Sequence, residues 1–193
     1  MKNIYFATSN NHKLIEIQNI FKEHFKIHSI FEVIDDFDPD ECANSFIENS
    51  TIKAVTAGNI IKKPVFADDS GLCIEELNGF PGVRSARFMV DHSYKEKMES
   101  LLEKINDNRK AYFASSATYY DPINNILLST EGRVYGTISK SIKGNNGFGY
   151  DPFFIPEGYD ETFAELGEDL KNKISHRFRA FDKLKNILYK LGL

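Results

Sequence analysis

Ile4-Tyr5-Phe6-Ala7-Thr8-Ser9-Asn10-Asn11-His12-Lys13 decides the fold reading: four apolar residues run straight into a polar stretch that opens a helix. The apolar piece has the length of a strand, so residues 3–8 are predicted as β-strand. From about 11 to 24, Leu14, Ile17, Ile20 and Phe21 recur at helical spacing and leave Glu16, Asn19, Lys22 and Glu23 on the outside. Another strand follows around 26–31. A loop carrying Asp35, Asp36, Asp38, Asp40 and Glu41 comes next. Ser45-Phe46-Ile47-Glu48 has the spacing of a capping box, which predicts a helix to about Ile61 that buries Ile47, Val55 and Ile60 or their neighbours. Val65-Phe66-Ala67 is a short buried strand expected to end in a bend at Asp68-Asp69-Ser70-Gly71. Ser93-Tyr94-Lys95-Glu96 opens a further helix to about Ile105. Strands are predicted at 111–120, 126–131 and 132–139, with a helical end that places Ala180, Leu184, Ile187 or Leu188, and Leu191 on one face. Strand–helix–strand units followed by a strand-rich middle predict an α/β fold with a mixed sheet.

The chain has 193 residues and a formal charge of −4. It is long enough to bury roughly 70% of its unfolded surface, so one domain spanning 1–193 is expected. Its mildly acidic balance argues against a general nucleic-acid coat, whose affinity comes from clustered Lys and Arg. Cys42 and Cys73 are too few for a disulfide scaffold. No apolar stretch approaches the ~18 residues a spanning helix needs. Ile4–Ala7 is too short for the apolar part of a signal peptide, so a cytoplasmic protein without membrane contact is expected.

Three stretches can carry chemistry. Thr8–Lys13 lies at a helix start, whose orphan N–H groups suit phosphate oxygens; Ser9 or Asn10 can equally be a simple helix cap. Glu41, Asp68 and Asp69 are hard oxygen donors of the kind Mg²⁺ shares with substrate phosphates, or else solvated turn residues. Consecutive aspartates on a strand point to opposite sides unless the chain bends after them. Late in the chain, Phe148 and Tyr150 can stack on a base or pin their loop to the core. His176 and Arg177 put cations at a helix start, where the dipole disfavours them unless an anion meets them.

Together these motifs resemble the inosine triphosphate pyrophosphatase family. The matching runs are Thr8-x-Asn10-x-x-Lys13, Ser45–Asn49, Ala67-Asp68-Asp69-Ser70-Gly71-Leu72, Leu77-x-Gly79-x-Pro81-Gly82-x-x-Ser85-Ala86-Arg87, Gly147–Pro152, Ala164-Glu165-Leu166 and Ser175-His176-Arg177. Arg84 stands where an aromatic is usual in that family. The resemblance implies an elongated α/β fold with a mixed central β-sheet flanked by helices, two lobes with an active-site cleft between them, and a homodimer. It implies Mg²⁺-dependent hydrolysis of the triphosphates of inosine, deoxyinosine and xanthosine to monophosphate and pyrophosphate, which keeps them out of DNA and RNA. By position, Asp69 would be the proton acceptor, and Glu41 with Asp68 or Asp69 would hold one Mg²⁺ per subunit. Thr8, Ser9, Asn10, Asn11, His12, Lys13, Ser70, Phe148, Gly149, Tyr150, Asp151, Lys171, His176 and Arg177 would contact the nucleotide. A nucleotide- or RNA-binding module without catalysis, and a pyrophosphatase of modified pyrimidine nucleotides, are the competing readings.

Overall fold

A computed structural model describes residues 2–193. The strands are β1 (Lys2–Phe6), β2 (Phe25–Ser29), β3 (Val65–Ile74), β4 (Lys110–Asp121), β5 (Ile126–Ile138) and β6 (Phe154–Pro156). The helices are α1 (Asn11–Phe21), α2 (Phe46–Ile61), α3 (Tyr94–Leu102), α4 (Phe163–Leu166), α5 (Glu168–Ile174) and α6 (His176–Lys190). All six strands join one sheet in the order β2-β1-β3-β4-β5-β6. β1 runs parallel to both β2 and β3, whereas β5 and β6 are antiparallel. The sheet is therefore mixed and the fold α/β, as the element pattern predicts.

The chain divides into two compact units, the first made of Met1–Asp69, Ser115–Gly132 and Arg177–Leu193, the second of Ser70–Ala114 and Arg133–His176. In the first, period-2 alternation sends Ile4, Phe6 and Phe66 to one face, where they pack with Ile17 and Phe21 of α1 and Phe181, Leu184 and Leu188 of α6. Tyr5, Ala7, Val65 and Ala67 go to the other face, against Ala54 and Ala57 of α2. In the second unit Leu72, Ile74, Met98, Leu101, Phe113, Tyr150, Phe153, Phe154 and Phe163 form a separate core.

Four local expectations are corrected. β3 does not end at Asp68; it continues through Ser70 and Gly71 to Ile74. Gly71 marks a close backbone approach, not a bend: a Cβ there would land on the Gly82 carbonyl oxygen and the Ser85 hydroxyl. The two short strands predicted between 126 and 139 are one long strand, β5. α2 starts at the predicted place, with Ser45 Oγ accepting from the Glu48 N–H at 3.3 Å. It buries Asn49, Ser50, Lys53, Ala54, Ala57 and Gly58, while Ile47 and Ile60 are exposed. Small and polar side chains let this helix lie close to the sheet; Ser50 Oγ reaches Ser116 Oγ at 3.0 Å and Thr118 Oγ1 at 2.8 Å on β4. Finally, Glu16 faces inward and is buried, because it partners a buried guanidinium described below.

Candidate active site

Because β3 stays extended through Asp68 and Asp69, the two carboxylates leave it on opposite faces. Asp68 shares the face of Phe66, toward α1 and α6. It is 1% exposed, and its Oδ1 accepts from Lys13 Nζ at 3.0 Å while Oδ2 accepts from Arg177 Nε at 3.0 Å. Arg177 Nη1 also donates to Glu16 Oε2 at 2.5 Å. Lys13 and Glu16 stand three residues apart on α1, hence on one helix face. Burial opposes the charge on Asp68, but the Lys13 ammonium and the Arg177 guanidinium outweigh it and hold this carboxyl well below the usual range. Burial likewise opposes the charge on Arg177, and Glu16 and Asp68 reverse it, so the guanidinium stays protonated. Burial pulls the Lys13 ammonium down despite Asp68.

Asp69 emerges on the α2 face. Its Oδ2 accepts from Asn49 Nδ2 at 3.0 Å, and its Oδ1 lies 4.0 Å from Lys53 Nζ, which in turn sits 3.1 Å from Glu41 Oε1. Burial pushes the Asp69 carboxyl up, and Lys53, Lys13 and the Asn49 hydrogen bond only partly counter it. One ammonium thus sits between two carboxylates, so the protein already seats a cation there. Among the described residues no three His, Cys, Asp or Glu side chains form a ready-made metal cage. Mg²⁺ does not require one, because it takes one or two carboxylates and completes its octahedron with phosphate oxygens and water. The donor chemistry of Glu41 and Asp69 fits such an ion.

The helix start beside this cluster is shaped by its own side chains. Thr8 Oγ1 accepts from the Asn10 N–H at 3.2 Å, and Asn10 Oδ1 caps α1 by accepting from the His12 and Lys13 N–H groups at 2.9 and 3.3 Å. Asn10 is thus a helix cap. Ser9, Asn11 and His12 are exposed, whereas Thr8, Asn10 and Lys13 are half-buried.

In the second unit the late motif is built around a buried ion pair. Asp151, 2% exposed, accepts at Oδ2 from Lys171 Nζ at 2.6 Å and from the Phe148 N–H at 2.8 Å. The same ammonium lies 4.1 Å from the centre of the Phe148 ring. Gly147 has φ +76, and a side chain there would run into the Asp151 carboxylate. Tyr150 is buried and donates its hydroxyl to the Ser85 carbonyl at 3.0 Å, so of the two rings proposed for stacking only Phe148 is half-exposed. His176 is buried, its ring stacked on Phe113 at 4.8 Å. Ser70 is half-buried on β3, and Gly149 is half-buried in the loop with φ +66.

The Ham1 family model matches residues 4–187. This chain belongs to the Ham1 family. A dITP/XTP pyrophosphatase of Dictyoglomus thermophilum is 44% identical over 191 residues, covering 96% of this chain and 93% of that one. Among solved structures, a HAM1 protein from Coxiella burnetii superposes with a TM-score of 0.90 at 34% identity, covering 98% of this chain and 100% of the other. The Staphylococcus aureus Ham1 protein gives 0.89 at 36% identity, over 98% and 99%.

In this Ham1-family chain the predicted residues separate by unit. Thr8–Lys13, Glu41, Asp68, Asp69 and Arg177 belong to the first; Ser70, Phe148–Asp151, Lys171 and His176 belong to the second. Within the first, Lys13, Asp68 and Arg177 are joined directly, and Glu41 and Asp69 meet through Lys53. The anions that meet Arg177 at its helix start are the protein's own Asp68 and Glu16. Glu16, Asn49 and Lys53 were missed as site residues. Their signal was present: Asn49 and Lys53 are one turn apart and bracketed by Ser50, Ala54, Ala57 and Gly58, a polar-and-small stripe at helical spacing. The isoleucines of the same helix drew the prediction to the wrong face.

Proposed function

We propose that this chain hydrolyses the triphosphates of noncanonical purines, the inosine, deoxyinosine and xanthosine forms, to nucleoside monophosphate and pyrophosphate with Mg²⁺. Family membership and the dITP/XTP pyrophosphatase relatives support the reaction. The observation that carries the mechanism is Asp69: buried, its acidity weakened, and facing Glu41 across the Lys53 ammonium. Glu41 and Asp69 would hold the Mg²⁺. When bound, that ion neutralises phosphate charge and polarises the oxygens it touches.

The chain's own residues do the rest. Asp69 accepts the proton of the attacking water, a task suited to a carboxylate that burial makes more basic than usual. Lys13 and Lys53 supply positive charge to the polyphosphate, and hydroxyls and N–H groups of Thr8–Asn11 donate to its oxygens. Asp68 has both oxygens engaged by Lys13 and Arg177, so its role is to anchor these two cations. In the second unit, Phe148 offers a ring face to the base, and the Lys171–Asp151 pair holds that ring in place. Backbone N–H groups and His176 favour a keto oxygen at the six-position of the purine. An adenine amino group would leave a donor unpaired, at a cost of about 1–3 kcal/mol. The resemblance further supports a single catalytic domain working as a cytoplasmic homodimer; sedimentation of the purified protein and cell fractionation test those two statements.

A panel of inosine, deoxyinosine, xanthosine, guanosine, adenosine and modified pyrimidine triphosphates, assayed for pyrophosphate with and without Mg²⁺, decides the reading. Release should be fastest with the first three and should stop when the ion is removed. Equal rates on every base would refute selective readout. Tight, steeply salt-dependent binding without release would make the chain a binding module.

A further inference from the structure

Asn49 is 0% exposed, yet its amide does nothing for the helix that carries it. α2 is capped by Ser45 through the Glu48 N–H. The Asn49 side chain reaches outward in two directions instead. Its Nδ2 donates to Asp69 Oδ2 at 3.0 Å. Its Oδ1 accepts from the Ala43 N–H at 3.1 Å, and Nδ2 also donates to the Ala43 carbonyl at 3.4 Å. Ala43 lies two residues after Glu41, in a segment from Asp36 to Ala43 that holds no helix or strand. One amide thus grips the strand that carries one acid and the loop that carries the other. One turn further along the same helix face, Lys53 bridges Glu41 Oε1 and Asp69 Oδ1.

A carboxylate turns easily about its last torsion, which has a broad, shallow profile. A hydrogen bond to one oxygen ends that freedom and decides which oxygen points where. With Oδ2 held by Asn49, Oδ1 is the oxygen turned toward Lys53 and Glu41. The loop has no sheet or helix ladder of its own to fix Glu41, and the paired bonds at Ala43 supply that restraint.

We propose that Asn49 is a positioning residue for the pyrophosphatase reaction: its single amide orients the Asp69 carboxylate and tethers the Glu41 loop, holding the two acids in register. This inference rests on the function proposed above. Misplacing a reacting group by about 1 Å can cost on the order of 10²-fold in rate, so the effect belongs in kcat.

The test compares Asn49→Ala and Asn49→Leu with the wild-type full chain. Leucine matches asparagine in bulk but has no hydrogen bonds to give. kcat and KM are measured on deoxyinosine triphosphate, and hydrogen–deuterium exchange of the Ala43 amide is followed without substrate. Both variants should lose roughly 10–100-fold in kcat with KM within about threefold, and Ala43 exchange should rise about tenfold or more in each. Recovery of kcat by Asn49→Leu would show that only packing matters and overturn the proposal. Should neither variant fold, wild-type exchange still decides: an Ala43 amide that exchanges as fast as an unprotected one overturns the tether. Normal wild-type turnover with unaltered variants sinks this inference alone, whereas a wild-type chain that releases no pyrophosphate sinks the functional reading and this inference with it.

Discussion

The cluster on β3 in the first unit and the cluster around Asp151 in the second both keep charge inside protein, with different consequences. Around Asp151 one ammonium meets one carboxylate at 2.6 Å, and the same two groups meet the Phe148 N–H and ring of their own loop. On β3, alternation divides two neighbouring carboxylates between the faces. On one face Asp68 meets Lys13 and Arg177, and Arg177 also pairs with Glu16; on the other Glu41 and Asp69 share Lys53. The second unit's pair fixes the shape of one loop, whereas the first unit's shared ammonium ties a strand to a distant loop.

The sharpest way to break this contrast is Asp69→Asn. Turnover should fall by about 10³-fold or more, roughly 4 kcal/mol of barrier, while nucleotide binding by calorimetry persists. Unchanged turnover would remove Asp69 from the chemistry. Next in size is Arg177→Met, which takes the guanidinium from two buried carboxylates, Asp68 and Glu16, and should cost about 3–5 kcal/mol in urea unfolding. Lys171→Met takes an ammonium from one carboxylate, Asp151, so its loss should sit near the lower end, about 3 kcal/mol. A larger loss for Lys171→Met than for Arg177→Met would overturn this ranking of the two pairs.

Acid sharpens the comparison further. The Asp68 carboxyl is depressed in the fold below its ordinary value of 3.8. Its contribution to stability is therefore present above that value and disappears as pH falls through the depressed range. Thermal scans should show the wild type losing Tm below about pH 4. Asp68→Asn should be weaker at neutral pH and flatter in that acid window; parallel curves would deny Asp68 this role. The smallest effect expected is that of Phe148→Leu. It removes a ring under the Lys171 ammonium and should cost about 0.5–2 kcal/mol, seen as a several-fold rise in KM for the base-bearing substrate and little change in kcat. A fall in kcat with KM unchanged would move Phe148 away from base contact.

Much of the fold was legible because its signals are local. Alternation marks β1, helical spacing marks α1, and Ser45 and Ser93 each begin a helix at the expected residue. The Asp68-Asp69 and Phe148–Asp151 motifs pointed to carboxylates that the fold engages with cations. Gly71 misled because a glycine that permits a turn and one that permits close approach look identical in sequence. α2 misled because its buried face is chosen by what it faces, the hydroxyls of Ser116 and Thr118 and the Asp69 carboxylate, rather than by its isoleucines.

By itself, then, the amino-acid order determined the first strand, the starts of α1, α2 and α3 and the supply of acids and cations. Only tertiary structure decided which charge meets which: Asp68 finds Lys13 across 55 residues and Arg177 across 109, and Arg177 finds Glu16 across 161. Periodicity is a property of neighbours and can be read along the chain. The partner of a buried charge is set by desolvation among side chains that only the folded sheet brings within reach.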